Sequence, residues 1–327
     1  MVRINSRLSV VDSFDVIFPP AVNEILDSLL DESKMTALQA NKVLDFSFSI
    51  PGLGRFRSNI YSQRGTYAIA IRLLPFEIPH FDGLGLPVSV KSFADKTKGL
   101  FLVTGATGSG KSTTLASLLS MINEEHNYHI ITIEDPIEYL HRHKKSLVSQ
   151  REIGEDASSF ASALRAALRE DPDVIMVGEM RDAETISIAL TAAETGHLVL
   201  STLHTVGAAK SIDRIIDAFP PNQYNQIRTQ LSAVLEGVVS QQLIPRIDKE
   251  GLCVASEVML VNPAIRNLIR EGKHYQINNI IQTGQSSGMQ LMEAELASYA
   301  NKGIIDREEA ITRSQDQQLL NQFLNRR

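Results

Sequence analysis

The sequence predicts an α/β protein in which a larger domain, built on a mostly parallel sheet, follows a smaller α+β domain. From residue 98 onward, short apolar runs are separated by helical patterns, which is typical of parallel strands buried on both faces. The first 77 residues instead contain two runs that alternate in polarity, as in strands with one exposed face. Pro75 and Pro79 mark the change between the two patterns. We therefore predict domains at residues 1–77 and 98–327, joined by a linker at 78–97.

The smaller domain is predicted from three segments. Residues 21–38 carry apolar side chains at helical spacing, whereas residues 45–50 and 66–71 alternate with period two and are bounded by glycine and proline. One helix and two strands make this part of the chain an α+β unit.

The larger domain is predicted from alternating strands and helices. Its apolar runs are residues 100–103, 130–133, 174–177 and 198–201, and its helical patterns include residues 112–122, 160–169 and 183–195. Asp182 is placed to cap the last of these helices, and Gly196 is placed to end it. After residue 245 the chain is predicted to be mainly helical, with helices beginning at Pro263 and after Asp306.

Composition limits the functions that a chain of 327 residues with this sequence can have. Its 32 Lys and Arg against 38 Asp and Glu give a net charge of −6, so no global attraction to nucleic acid or anionic lipid is expected. The single Cys253 excludes an intrachain disulfide and a multi-cysteine metal site. No run of about 18 apolar residues occurs, and Asp12 and Asp15 interrupt the apolar N-terminal segment. We expect a cytoplasmic protein without membrane insertion.

A glycine-rich loop between the first strand and the first helix of the larger domain carries the strongest motif. The segment GATGSGKST fits the pattern G-x-x-x-x-G-K-[ST] in the strand–loop–helix context that the pattern requires. Glycines let backbone N–H groups converge on phosphate oxygens, and the following helix directs its positive end at the same anion. Lys111 is expected to reach the β- and γ-phosphates, and the Ser112 hydroxyl to bind Mg²⁺. The predicted nucleotide-binding residues are Gly105, Ala106, Thr107, Gly108, Ser109, Gly110, Lys111, Ser112 and Thr113.

Acidic residues follow two of the predicted buried strands. A phosphate loop needs an acid for Mg²⁺ and a group that orients the attacking water. The usual Asp at the end of the third strand is replaced by Gly178, and Glu179 follows it, at the end of the sheet where open α/β folds bind ligands. Glu134 and Glu138 follow the second strand, and Pro136 stiffens their turn and can aim the carboxylates at the phosphates. A purely structural turn is the alternative for either of these two residues.

Histidines flank the fourth predicted strand. His204 lies at the carboxyl end, where it is placed to contact the γ-phosphate or to report its loss, and His197 lies at the opposite end. A hydrogen-bonded structural role is the alternative for both, and it is favoured for His197. His204 is therefore a candidate site residue.

Four segments of the sequence resemble the boxes of the secretion-ATPase family, which drives type IV pili and type II and type IV secretion. They are GATGSGKST, ITIEDPIEY, DPDVIMVGEMRD and TGHLVLSTLHT, and the resemblance covers roughly residues 45–315. The segment AIRNLIRE at residues 264–271 is similar to the C-terminal signature of the pilus-retraction branch, with a plain amphipathic helix as the alternative. The single cysteine agrees with that branch, because the assembly and type II ATPases usually carry a paired-cysteine zinc site.

The resemblance implies both a fold and a mechanism. It implies a RecA-like P-loop NTPase motor domain behind a PAS-like N-terminal domain, assembled as a homo-hexamer that binds ATP and Mg²⁺. It also implies that Glu179 is the general base or water-positioning acid and a metal ligand. Glu134 and Glu138 are implied to support the Mg²⁺ and the water.

Arginines complete the implied site. The resemblance implies that Arg55, Arg57 and Arg72 of the N-terminal domain are positive partners of the γ-phosphate, with a surface salt bridge as the alternative for each. A guanidinium that stabilises the transition-state charge accelerates such reactions by about 10³–10⁵. Arg181 is a further candidate, as a relay at the subunit contact.

The hypothesis that follows is a motor ATPase, cytoplasmic and peripheral to the inner membrane, that powers type IV pilus retraction as in twitching motility. Its expected partners are an inner-membrane pilus platform protein and other pilus ATPases, and no nucleic acid. Retraction ATPases usually begin with a segment that holds an acidic-Leu-His motif, which is absent ahead of the matched region here. We therefore expect the smaller domain to be shortened at its start.

Three other functions stay open. A secretion or conjugation motor of the same family differs only by the cysteine count and the C-terminal signature. A hexameric nucleic-acid translocase is disfavoured by the charge of −6 and by the lack of an extended basic stripe, since the basic cluster at 141–145 is short and fits a solvated turn. A nucleotide-binding scaffold without turnover is disfavoured by the intact Lys111, Ser112 and Glu179.

Overall fold

The computed structural model describes residues 1–4, 7–75 and 77–325. The chain divides into two compact units, Met1–Phe76 and Glu77–Arg327. The predicted domains also include five residues that lie outside the described part of the chain, Asn5, Ser6, Phe76, Arg326 and Arg327.

The segment predicted as a linker, residues 78–97, folds into the second unit. It forms two 3₁₀ helices, Phe81–Gly83 and Val88–Phe93. Phe81, Val90 and Phe93 are buried in the same cluster as the strand that follows, and the Phe93 ring stacks on another phenylalanine at 3.9 Å. Apolar side chains spaced for a short helix turn, rather than proline content, decide where this segment belongs.

The first unit is an antiparallel three-stranded sheet covered by helices, together with a two-stranded ribbon. The single helix predicted at 21–38 is two helices, because Leu30 adopts an extended conformation and the Asp31 side chain accepts a hydrogen bond from Lys34 N to cap the second. The middle strand was not predicted, since its polar residues obscure the alternation. The elements are β1 (Val2–Ile4), β2 (Arg7–Ser9), α1 (Pro19–Leu29), α2 (Glu32–Asn41), β3 (Val43–Ile50), β4 (Gly54–Gln63) and β5 (Thr66–Leu73).

One face of this sheet carries the three predicted arginines. Ile60 of β4 packs under the helices, and side chains alternate between faces along a strand. Arg57, three residues away, therefore points to the opposite face, as does Arg55. The strand register places Arg72 of β5 directly across from Arg57. The three arginines share the face turned away from the helices.

The second unit is a seven-stranded sheet in the order β12-β11-β6-β10-β9-β7-β8, with only β12 antiparallel to its neighbour. The strands are β6 (Gly99–Thr104), β7 (His129–Glu134), β8 (Leu147–Glu152), β9 (Val174–Val177), β10 (Leu198–Leu203), β11 (Leu235–Pro245) and β12 (Leu252–Leu260). The helices are α3 (Lys111–Glu125), α4 (Phe160–Ala167), α5 (Ala183–Glu194), α6 (Ala208–Ile216), α7 (Tyr224–Val234), α8 (Pro263–Glu271), α9 (Ile277–Thr283), α10 (Met292–Asn301), α11 (Arg307–Arg313) and α12 (Gln317–Leu324).

Both faces of the sheet are buried. Leu100 and Leu102 of β6 belong to one apolar cluster, and Phe101 and Val103 belong to another. The predicted fold class is therefore confirmed, because a parallel strand covered on both sides is the pattern that its apolar runs indicated. The parallel strands also end at one edge, which brings together the loops that follow them.

The sequence pattern was least informative beyond residue 200. The chain after residue 245 is not mainly helical at first, because β12 pairs antiparallel with β11. The predicted cap at Asp182 is present, since its side chain accepts from Thr185 N. Asn262 caps α8, and Gly272 ends it with φ 71°. No helix among the described residues is both long and apolar enough to cross a membrane.

Candidate functional site

The glycine-rich loop leaves β6 and enters α3 as the motif predicts. Gly105, Gly108 and Gly110 have φ of 142°, 80° and 89°, which residues with a Cβ rarely adopt. A Cβ on Gly105 would lie 2.3 Å from the carbonyl oxygen of Gln241. The loop is therefore closed against β11, and its backbone can approach an anion only because these positions are glycine.

Lys111 is the first residue of α3 and is buried. Its Nζ donates to the carbonyl oxygens of Gly105 at 2.9 Å and Ala106 at 3.0 Å. Burial lowers the pKa of Lys111, and the charges of Glu138 and Glu179 act in the opposite direction. Both carboxylates are therefore close enough to the phosphate loop to act on its lysine.

Glu179 follows β9 and is held through both of its oxygens. Arg181 Nε lies 2.5 Å from Oε1, and His204 Nε2 lies 3.3 Å from Oε2. The Glu179 side chain is only 13% exposed, whereas Arg181 and His204 are more than half exposed. Each carboxylate oxygen keeps a lone pair for a further partner.

The surroundings of Gly178 explain why the acidic residue lies one position after the usual Asp position at the end of this strand. A Cβ at Gly178 would lie 3.2 Å from Ile133 O and 3.5 Å from Glu134 Cα, on the neighbouring β7. An Asp at this position would have to push into that strand. The carboxylate is therefore supplied by Glu179, after the chain has left the sheet.

Glu134 ends β7 and is almost completely buried. It accepts hydrogen bonds from Thr132 Oγ1 at 2.7 Å, Gln150 Nε2 at 3.2 Å and Glu138 N at 3.4 Å. Desolvation raises the pKa of Glu134 to about 7 against these bonds. The geometry makes Glu134 a support for the turn that carries Glu138.

Two residues that the sequence did not single out hold this site. Tyr139 OH and Thr113 Oγ1 are 2.9 Å apart, which ties the acidic turn to the phosphate loop. Gln241 of β11 bonds both the loop and α3. Tyr139 belongs to the ITIEDPIEY box, so the sequence held a signal that could have identified it. No motif lies near Gln241, so the sequence held no such signal for that residue.

The remaining predicted residues are His197, the basic cluster and the three arginines of the first unit. His197, at the amino end of β10, has its Nδ1 2.9 Å from Ala192 O and 3.2 Å from Thr195 Oγ1, a local structural arrangement. The basic cluster is partly engaged in packing: burial lowers the pKa of His141 to about 4, and the His143 ring accepts from Val148 N. Arg55, Arg57 and Arg72 share the face of the first unit's sheet that is turned away from its helices.

A phosphate loop on the inner strand of a mostly parallel sheet, with carboxylates and a histidine at the same edge, defines a P-loop nucleotide-binding domain. The family model for the type II/IV secretion system protein matches residues 68–325, and the chain belongs to this family. The resemblance seen in the four sequence boxes is thus confirmed.

Particular relatives narrow the comparison. The chain is 48% identical to a twitching motility protein of Neisseria gonorrhoeae, over 90% of this chain and 79% of the relative. It is also 48% identical to the type IV pilus retraction ATPase PilT of Pseudomonas aeruginosa, over 88% and 84%. A crystal structure of the pilus retraction motor PilT with bound ADP superposes with a TM-score of 0.92 and 49% identity, covering 98% of this chain and 91% of that one.

Proposed function

We propose that this chain is the subunit of a hexameric ATPase that hydrolyses ATP to ADP and phosphate and so powers type IV pilus retraction. The observation that carries the proposal is the convergence of a complete phosphate loop with Glu138 and Glu179, whose charges both act on Lys111. The relatives named for twitching motility and pilus retraction support the mechanical output.

The phosphate loop binds the β- and γ-phosphates in this mechanism. Lys111 exchanges the carbonyl oxygens of Gly105 and Ala106 for phosphate oxygens, and the backbone N–H groups and the start of α3 offset the remaining charge. Burial of Lys111 strengthens that attraction, because a partly desolvated ammonium interacts more strongly with an anion.

Glu179 orients the water that attacks the γ-phosphate in line. Its oxygens are fixed by Arg181 and His204, so the free lone pairs have a set direction, and positioning supplies much of the rate. Glu134 acts one step removed, by holding the backbone of Glu138. The assignment separates the three candidate acids: Glu179 for the water, Glu138 for the charge near Lys111, and Glu134 for support.

The residues fit Mg²⁺, which prefers oxygen ligands. Ser112 is exposed beside the buried Lys111, and its hydroxyl together with the Glu179 carboxylate would hold the ion. When bound, Mg²⁺ neutralises charge on the β- and γ-phosphates.

The arginine face of the first unit supplies positive charge to the γ-phosphate in the proposed hexamer. Arg57 and Arg72 are direct cross-strand neighbours, and like charges in that arrangement are destabilising. Arg55 Nη2 donates to Ser47 Oγ at 2.5 Å on the same face. An anion placed over this face would relieve the repulsion between the two guanidinium groups. This face is therefore suited to binding the γ-phosphate.

The proposed partner of the hexamer is an inner-membrane pilus platform protein, with other pilus ATPases as further partners. With such a partner, the proposed motor works in the cytoplasm, peripheral to the inner membrane. The proposal predicts no binding to nucleic acid.

Complementation tests the proposal. In a type IV-piliated strain that lacks its retraction ATPase, this chain and the exposed-site control Glu250→Gln should restore twitching, and Glu179→Gln should not. Purified protein should hydrolyse ATP at a rate that DNA leaves unchanged. Hydrolysis without restored twitching would favour a secretion or conjugation motor. DNA-stimulated hydrolysis with steep salt dependence would favour a translocase. An absence of hydrolysis would favour a nucleotide-binding scaffold.

A further inference from the structure

Three consecutive polar residues in β11 each hydrogen-bond to a different segment at the nucleotide edge, namely the residue before α6, the phosphate loop and the last residue of α11. These bonds are Gly207 N to Ser240 Oγ at 2.8 Å, Gln241 Nε2 to Ser109 O at 2.7 Å, and Gln242 Nε2 to Arg313 O at 3.2 Å. Side chains alternate along a strand, so Gln241 points to the face opposite its two neighbours, and of the three bonds above only that of Gln241 goes to the phosphate loop. Gln241 therefore supplies the side-chain hydrogen bond that ties β11 to the loop in the described part of the chain.

The Gln241 side chain is 1% exposed, and both ends of its amide are bonded. Nε2 donates to the carbonyl of Ser109 in the loop, and Oε1 accepts from Thr114 Oγ1 in the first turn of α3 at 3.0 Å. The orientation of the amide is fixed, because a carbonyl oxygen can only accept. Gln241 thus bridges the loop to the helix that follows it.

This bridge sets the direction of a backbone donor. In a trans peptide the C=O of one residue and the N–H of the next point in opposite directions. With Ser109 O held on Gln241, the Gly110 N–H is turned away from β11, toward the side of the loop where phosphates bind in the proposed function. A Cβ on Gly110 would lie 3.0 Å from Gln241 Nε2, so glycine also leaves room for the amide.

We propose that Gln241 is a positioning residue that orients the phosphate loop for anion binding by holding Ser109 O and Thr114 Oγ1. The inference rests on the proposed nucleotide site and adds a residue from a strand that carries none of the family boxes. Gln241 acts through the loop backbone and does not itself touch the nucleotide.

Calorimetric titration with ADP and with inorganic pyrophosphate tests this role. Gln241→Met, which keeps the size but not the hydrogen bonds, should weaken both ligands by a similar factor of about tenfold or more, since one anion-binding N–H loses its direction. The matched control Gln242→Met, on the same strand, should stay within about twofold of wild type. Similar losses for the two ligands place the effect at the phosphates and not at the base.

Gln241→Glu adds a readout that a merely structural role would not move. An ionised carboxylate cannot donate to Ser109 O, but a protonated one can. Affinity of this variant for ADP should therefore rise toward wild type as pH falls from about 8 to about 6, while Gln241→Met shows no such recovery.

Three outcomes would overturn the inference. These are unchanged ADP affinity in a folded Gln241→Met, an equal loss in Gln242→Met, and a pH response shared by Gln241→Met and Gln241→Glu. If the wild-type chain bound neither ADP nor pyrophosphate, the proposed function itself would fail. If wild type binds both and Gln241→Met binds equally well, only the role of Gln241 fails.

Discussion

The two ends of the parallel strands in the second unit carry similar residue types in different arrangements. At the carboxyl end, Glu179 is paired with Arg181 and His204, and its charge acts on Lys111. At the amino end, His129 Nδ1 lies 3.0 Å from a backbone carbonyl and its Nε2 3.1 Å from a serine hydroxyl. Glu179 thus meets an arginine and a histidine at one end, whereas the His129 ring at the other end meets a backbone carbonyl and a hydroxyl group.

The difference teaches that strand direction, and not residue type, separates function from packing here. β10 has a histidine at each end, yet only the one after the carboxyl end contacts a carboxylate of the site. Parallel strands gather their following loops at a single edge, so polar side chains there share one space. Matched substitutions at the two ends of the same strand can break this comparison.

The largest effect is expected for the two lysines on either side of β6. Lys98 directly precedes the strand, and Lys111 follows it at the end of the phosphate loop. Lys111→Ala should weaken ATP binding by about 100-fold and abolish measurable turnover, because it removes a partly buried charge that reaches the phosphates. The control Lys98→Ala, at the exposed amino end, should leave both unchanged. Nucleotide titration and a phosphate-release assay measure the pair, and undiminished ATP binding in Lys111→Ala would contradict the loop assignment.

The next largest effect is expected on β9, which lies between Asp173 and Glu179. Glu179→Gln should reduce kcat by about 10²–10⁴ and leave ATP affinity nearly unchanged, since it removes a group that acts on the water. Asp173 accepts a hydrogen bond from His129 N at 2.8 Å, so Asp173→Asn should alter stability and not turnover. Turnover near wild type in Glu179→Gln would refute its role.

The sequence predicted the part of this edge that follows apolar strands. Four of the parallel strands were found because they are buried on both faces, and the loops after them then placed Lys111, Glu179 and His204 at one edge. β11 was not found, because its Ser-Gln-Gln run breaks the apolar pattern, and so Gln241 was missed. The polar residues that interrupt the apolar pattern of β11 are the ones that hydrogen-bond to the phosphate loop and to two neighbouring segments.

The roles of the acids and arginines required tertiary information. Glu134 and Glu138 look alike in the sequence, but only the burial of Glu134 and its three donors distinguish a supporting carboxyl from an available one. Arg57 and Arg72 are far apart in the chain, and the register of β4 with β5 places them side by side. A missed β4 made that pairing impossible to anticipate.

A moderate effect is expected on β10. His204→Ala should lower kcat by about tenfold, because Glu179 loses one of the two partners that fix its direction. His197→Ala at the amino end should leave kcat within about twofold and cost about 1 kcal/mol of stability, through the lost contacts with Ala192 O and Thr195. Equal kinetic losses in the two variants would remove the distinction between the ends.

The smallest effect is expected on the pH dependence of stability, to which two buried glutamates contribute. Glu134 lies at the C-terminal ends of the parallel strands, and Glu257 lies on the antiparallel strand β12. Desolvation raises the pKa of each carboxyl to about 7 from its ordinary value of 4.5. The folded chain therefore keeps protons that the unfolded chain has lost, so this contribution to stability is present at acidic pH and is lost as pH rises through about 7.

Glu257→Gln isolates one half of that dependence. Its amide oxygen can still accept from Ala208 N, but the position no longer titrates. The fall in Tm between about pH 6 and about pH 8 should be smaller than in wild type by about 2–4 °C, equivalent to about 1 kcal/mol, with turnover unaffected. Because the two proteins differ only at position 257, the difference in slope belongs to the carboxyl. The exposed control Glu250→Gln should keep the wild-type slope, and an equally steep slope in Glu257→Gln would mean that this carboxyl is already ionised in the folded protein at neutral pH.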